Sequence, residues 1–255
     1  MSGTLVGALI GFVLAPLVSV LTTRPPLLDA VEMPNVRFRC DTCRAPVTAL
    51  DAIPILSFLI LRGRCRSCGA PIRRWDFAAE VLAVLTGALV GWRIGIEPEL
   101  PAFLLLGLVS VVVVLVDARL HKIATRMIYP AAAFGFVLLA IAGFSDGRND
   151  AVLRAGVGAV AASAFIWLLI LVYPSGMGEG DARLMLFLGL FLGWQGWRHV
   201  YLGILAGFLL GSIAGVALII VRRAGRKTQM AFGPYLCAGA MFITLWPDVF
   251  SNYLR

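Results

Sequence analysis

Two sets of side chains in this sequence could do chemistry that their surroundings do not explain. The first is a pair of carboxylates beside long apolar runs. Asp117 closes the run 103–116, and Asp181 follows Gly176-Met177-Gly178-Glu179-Gly180 and precedes another apolar run from Leu184. An acid next to hydrocarbon is costly, so its presence there is a reason to look for a function. Two carboxyls held close together can share a proton. One, ionised, takes a proton from water, and the other, protonated, donates to a carbonyl oxygen. The second set is Cys40-Asp41-Thr42-Cys43 and Cys65-Arg66-Ser67-Cys68, two CxxC pairs with 21 residues between them. Each pair presents two thiolates on a tight turn, which suits one tetrahedral metal ion.

The elements that position these groups follow from composition. The chain has 255 residues, is 60% hydrophobic and has a mean hydropathy of +0.91. This describes an all-α polytopic membrane protein rather than soluble domains. Eight spans are expected, at 4–22, 77–92, 101–117, 127–144, 151–173, 182–196, 200–221 and 230–248. The sixth is the shortest and barely crosses a core about 30 Å thick. The first lacks a basic leading segment and is expected to be an uncleaved anchor rather than a signal peptide. The chain thus divides into a first helix (1–22), a polar loop domain (23–76) and a seven-helix membrane domain (77–255).

Charge sets the orientation. With segment 23–76 inside, 17 of the 22 Lys and Arg residues face the cytoplasm, and Arg93, Arg148, Arg154, Arg198 and Arg255 stay outside. The N-terminus is then outside. The net charge of +8 is accounted for by topology and contacts with lipid phosphates, with no need for nucleic acid. Asp117 leaves the third span, and Asp181 enters the sixth, on the same cytoplasmic face. Two whole helices lie between them in sequence, so only tertiary packing can bring them together.

The polar loop is too small to fold on an apolar core, and a four-cysteine zinc site would staple it. Disulfides are the competing reading, which cytoplasmic placement disfavours. Four thiolates leave no open position on the metal, so the zinc would be structural. Between the knuckles, residues 51–64 are apolar but too short to span. They are expected to lie in the membrane interface with Arg62 and Arg64 near phosphates. Cys237 stands alone in the last span and reads as a packing residue.

Taken together, these residues resemble the type IV prepilin peptidases, the GxGD class of membrane aspartic proteases. Gly178-Glu179-Gly180-Asp181 is the GxGD motif, followed by Arg183 where the family usually has Lys. The family's other motif is an aspartate with prolines seven and thirteen residues later. Asp117 and Pro130 fit it, whereas Ala124 replaces the first proline and Thr125 the usual acid or amide. The loop DAIPILSFLILRGRC, both CxxC pairs and residues 74–80 also match the family's cytoplasmic domain. The resemblance implies an enzyme of the prokaryotic plasma membrane. Its substrates would be prepilins or pseudopilins, cut before the apolar helix to release a basic leader. It implies Asp117 and Asp181 as the catalytic pair, supported by Gly178, Gly180 and Arg183. It further implies N-methylation of the new N-terminus with S-adenosylmethionine, and Glu80 is the candidate for binding the methyl donor or that terminus. The first span departs from the family by lacking the Gly, Ser and Asn that usually precede Arg-x-Pro, and this region is the one linked to methyl transfer.

Two other readings compete. A zinc-ribbon membrane scaffold for pilus or secretion assembly would use the same loop without cutting. A proton-coupled carrier would use the two acids, but no internal duplication supports it. Among the remaining residues, Arg119 and Arg183 sit two positions after the acids and face other sides of their helices. Trp92, Trp194, Trp197 and Trp246 lie near expected outer ends and read as interface anchors. His121 and His199 fall at opposite faces, which argues against a shared role.

Overall fold

The computed structural model describes residues 2–23, 40, 42–46, 53–123, 125–173, 177–221 and 231–247. Among them the chain forms nine helices: α1 (Gly3–Thr23), α2 (Leu56–Ile60), α3 (Arg74–Ile94), α4 (Leu100–Leu120), α5 (Thr125–Ser145), α6 (Asn149–Val172), α7 (Glu179–Gln195), α8 (Trp197–Ile220) and α9 (Gly233–Leu245). Apart from the short α2, a helix occupies each expected span. Six of them (α1, α3, α4, α5, α6 and α8) are long and apolar enough to cross a membrane. The other two are shorter, with 17 residues in α7 and 13 in α9. The expectation of eight full spans is therefore approximate.

The reason α7 can be short lies in its position. Twelve of its residues are buried, from Asp181 to Trp194. α4 is buried over 83% of its apolar window, whereas α8 is buried over only 17% of its own. α4 and α7 are the interior helices of the bundle, and they are the two that carry the acids. Phe103 from α4 meets Phe191 from α7 edge-on at 5.7 Å, and Phe187 meets Phe191 at 5.1 Å. A carboxylate is tolerable at membrane depth when it faces protein rather than lipid tails.

Small residues let the helices approach closely. Gly3, Gly7 and Gly11 of α1 run antiparallel against Gly91, Gly87 and Ala83 of α3. A Cβ at Gly11 would come within 2.6 Å of the Ala83 carbonyl oxygen, and one at Gly7 or Gly87 would collide with the facing backbone carbonyl. Helices in lipid gain little from burying apolar surface against each other, so close backbone packing of this kind supplies the attraction. Gly158 of α6 meets Gly189 and Gly193 of α7 in the same way, and the Ser163 hydroxyl donates to the Ala182 carbonyl at 2.9 Å.

The tryptophans divide. Trp92, Trp197 and Trp246 are exposed, as interface anchors should be, but Trp194 is fully buried. Its indole N–H donates to Glu99 at 2.8 Å, Arg148 pairs with the same carboxylate at 2.6 Å, and the Arg148 guanidinium stacks over the ring at 4.6 Å. Arg154 donates to the Gly193 and Trp194 carbonyls at 2.9 and 3.0 Å. The end of α7 away from the acids is thus clamped by three neighbouring charges. Trp194 belongs to the core because an indole N–H can be buried when it has a partner.

Candidate functional site

Asp117 lies in the last turn of α4, which His121 ends in a left-handed conformation (φ 51). The carboxyl is 3% exposed. Its Oδ2 accepts the N–H of Gly233 at 3.0 Å. Gly233 opens α9, where N–H groups have no partner within the helix, and a carboxylate satisfies one of them. A Cβ at Gly233 would stand 2.7 Å from that oxygen, so only glycine lets the backbone come this close. Gly233→Ala is expected to push the carboxyl aside with folding retained, and to lower about 10- to 100-fold any turnover that depends on Asp117, checked on the purified variant.

Asp181 lies in the first turn of α7 and is 6% exposed. Its Oδ2 accepts the Gly178 N–H at 3.0 Å, and its own N–H donates to the Gly178 carbonyl at 3.0 Å. This closed loop is a helix cap with the acid at its third position, which fixes the carboxyl relative to α7. Gly180 faces Ile123, and a Cβ there would come within 3.1 Å of that side chain. Ile123 also lies 3.3 Å from the Cβ position of Gly233. One isoleucine from the α4–α5 connection therefore touches the backbone beside both acids. Cys237, buried one turn into α9, follows Gly233 on the same helix. The expected convergence of α4 and α7 ends is present. Gly176 lies outside the described residues.

Arg183 is engaged by groups other than the two acids. It donates to Glu179 at 2.8 Å and to the Thr125 hydroxyl at 3.3 Å. Thr125, which stands in place of the family's acid or amide, thus ties the start of α5 to the start of α7. Arg119 donates to the Thr22 carbonyl at 3.3 Å and stacks over Trp75 at 5.6 Å, joining the ends of α1, α3 and α4 at the level of the acids. Glu80 accepts the Ile55 N–H at 2.7 Å, so its carboxylate binds the polar loop to α3.

The cysteines converge as their spacing implies. All four Sγ atoms lie within 4.8 Å of one another and can hold a metal ion. The two knuckles share one backbone pattern. Cys40 N–H donates to the Ala45 carbonyl and Arg44 N–H to the Cys40 carbonyl, both at 2.9 Å. Cys65 N–H donates to Ala70 at 2.8 Å, and Gly69 N–H to Cys65 at 2.9 Å. Arg44 (φ 57) and Gly69 (φ 70) hold the same left-handed position in each turn. Four thiols this close cannot all ionise alone. N–H groups of Cys43 and Thr42 draw Cys40 down to about 6. At Cys68 the Ala70 N–H pulls downward, but loss of water and the neighbouring sulfurs outweigh it and push the thiol up to about 12. A cation among them removes that conflict.

Sequence reasoning missed Gly233, Ile123 and the placement of Cys237 near the acids. The available signal was Phe232-Gly233-Pro234 ahead of an apolar run, which marks a helix start.

Two family models cover most of the chain: the Bacterial Peptidase A24 N-terminal domain over residues 9–94 and the Type IV leader peptidase family over residues 102–220. A prepilin leader peptidase/N-methyltransferase of Aeromonas hydrophila is 33% identical over 84% of this chain and 73% of its own length. The protein of that name from Stutzerimonas stutzeri is 32% identical over 85% and 74%. The one from Bacillus subtilis (strain 168) is 30% identical over 91% and 90%. No solved structure matches. With a buried acid at the end of each of its two interior helices and a four-cysteine cluster in the loop before α3, the chain belongs to the type IV leader peptidase family.

Proposed function

We propose that this protein is a membrane aspartic endopeptidase that removes the basic leader from prepilins or pseudopilins, with Asp117 and Asp181 as its catalytic pair. The observation that carries the reading is a buried carboxyl at the end of each interior helix, each with Oδ2 held by a backbone N–H, with Ile123 packed beside the backbone of both. This fixes the plane of each group and reserves the other oxygen for water and substrate. The ionised partner takes a proton from water as it attacks the scissile carbonyl. The protonated partner donates to the carbonyl oxygen, and the tetrahedral intermediate collapses when the leaving amine receives a proton. Since the pair titrates as a unit, the proton belongs to both acids. Gly178 and Gly180 allow a close approach of backbone, and Arg183 steadies the start of α7 through Glu179 and Thr125. The acids lie at the cytoplasmic edge of the prokaryotic inner membrane, by the arginine bias, and the N-terminus lies outside. Co-expression with a prepilin, followed by gel shift of the leader and mass spectrometry of the new N-terminus, tests cleavage and methylation together. An intact leader with a normally folded protein would favour the scaffold reading instead.

The metal is zinc. Tetrahedral Zn–S bonds of about 2.3 Å place sulfurs roughly 3.8 Å apart, and the Cys40 and Cys68 sulfurs are 3.8 Å apart. With four thiolates filling its coordination, the ion would staple the loop and leave bond cleavage to other residues. Because the ligands must lose protons to bind, affinity rises with pH, and acidification should release the ion. Cys65→Ser is expected to lose zinc and loosen the loop, read by metal analysis and limited proteolysis.

Methyl transfer would draw on S-adenosylmethionine, with Glu80 at the methyl donor or the new N-terminus. Glu80→Gln keeps an acceptor for Ile55 but removes the charge. It is expected to cut methylation at least about tenfold while cleavage persists, read by mass spectrometry of the product.

A further inference from the structure

The short helix α2 has an inside and an outside of opposite character. On the inside, the Phe58 ring stacks on Phe77 at 4.4 Å, Pro54 is buried, and the Ile55 N–H is held by Glu80 at 2.7 Å. Ile55 adopts φ 61 to make that bond, an unfavourable conformation for a β-branched residue that its surroundings must hold in place. Gly63 closes the turn against Phe58, where a Cβ would lie 2.9 Å from the ring. On the outside, Leu56, Leu59 and Ile60 are 48%, 60% and 65% exposed, and Arg62 and Arg64 follow, also exposed.

The anchors fix the depth of this face. Phe77 and Glu80 lie in the first two turns of α3, a helix long and apolar enough to cross a membrane from Arg74 to Ile94. A segment pinned to those turns sits where the span enters the bilayer. Trp75, half-exposed one residue into the same helix, is a further marker of that level. Three large apolar side chains aimed outward here meet the boundary between headgroups and acyl chains, and the arginines beyond them meet phosphates. A soluble partner would have to compete with lipid for this position.

We propose that α2 is a membrane foot: Leu56, Leu59 and Ile60 insert into the interface of an anionic bilayer, Arg62 and Arg64 contact its phosphates, and the four-cysteine loop is thereby held flat against the membrane beside α3. The foot lies only five residues before Cys65, so its insertion limits where the second knuckle can go. This inference rests on the membrane architecture and not on the peptidase reading.

The test uses the full-length protein in nanodiscs of phosphatidylcholine with or without phosphatidylglycerol. A fluorescent amino acid is introduced at Leu59, or at Ser67 as a control. Lipids brominated near the headgroup should quench the probe at 59 at least about twofold and leave the probe at 67 bright, with stronger quenching in anionic discs that weakens in high salt. An unquenched probe at 59 overturns the proposal, as does quenching only by a co-purified protein. Equal quenching in both lipids overturns the part assigned to the arginines. In the double variant Leu59→Glu and Ile60→Glu, zinc should be retained while protease cuts the loop several-fold faster. Unchanged cutting with zinc retained would also count against the foot. Leader cleavage is measured in parallel. Its loss without any change in quenching would concern the peptidase reading alone.

Discussion

Asp117→Asn and Asp181→Asn are each expected to lower leader cleavage on the order of 10⁴-fold or more, with expression and zinc content unchanged. Asparagine keeps the size of the side chain and can still accept the Gly233 or Gly178 N–H through its amide oxygen, so the fold loses little. It cannot take a proton from water or hold one for the carbonyl oxygen. The double variant should be no slower than either single one, because in the proposed mechanism the two acids act as a unit and removing one already removes the shared proton. Single-turnover cleavage of a purified prepilin measures this. Appreciable activity in either single variant would sink the assignment of the pair, whatever the family.

The second large effect is structural. Gly87→Leu is expected to destabilise the seam between α1 and α3 by about 3 kcal/mol or more, because its Cβ would overlap the Gly7 carbonyl. Repacking cannot absorb the clash, since the obstacle is backbone rather than a flexible side chain. α1 should separate from α3, and the loop between them would lose one of its two tethers. Thermal unfolding in detergent, followed through protease sensitivity near residue 23, reads the change. Gly95→Leu serves as a control of a different kind: space is open there, so any cost reflects backbone conformation alone.

The sequence made the helices legible because each is a long apolar run, and the run ended where charge resumed. The cysteines were legible because both ligand pairs are local turns, and the matching backbone patterns around Cys40 and Cys65 follow from matching spacing. The acids were legible only up to topology. Parity put Asp117 and Asp181 on one face, but the group that holds Asp117 was hidden, since Gly233 is 116 residues away. Trp194 was misplaced for a related reason. Its position near a helix end resembles an interface anchor, and only the clustering of Glu99 and Arg148 from other helices makes it core. Glu80 reads in sequence as a candidate for the methyl donor or the new N-terminus, and its bond to the Ile55 N–H was hidden because it depends on a backbone conformation that isoleucine rarely takes.

The interior placement of α4 and α7 has a consequence for how the protein meets membranes of different thickness. Hydrophobic mismatch acts on surfaces that touch lipid, and the outer helices carry most of that surface. They can tilt to match a thinner or thicker bilayer. α7 is buried along most of its length and fastened at its far end through Arg154, so it feels the bilayer only through its neighbours. The separation between the two acids is set by protein packing, and the same geometry should persist as lipid composition changes around it.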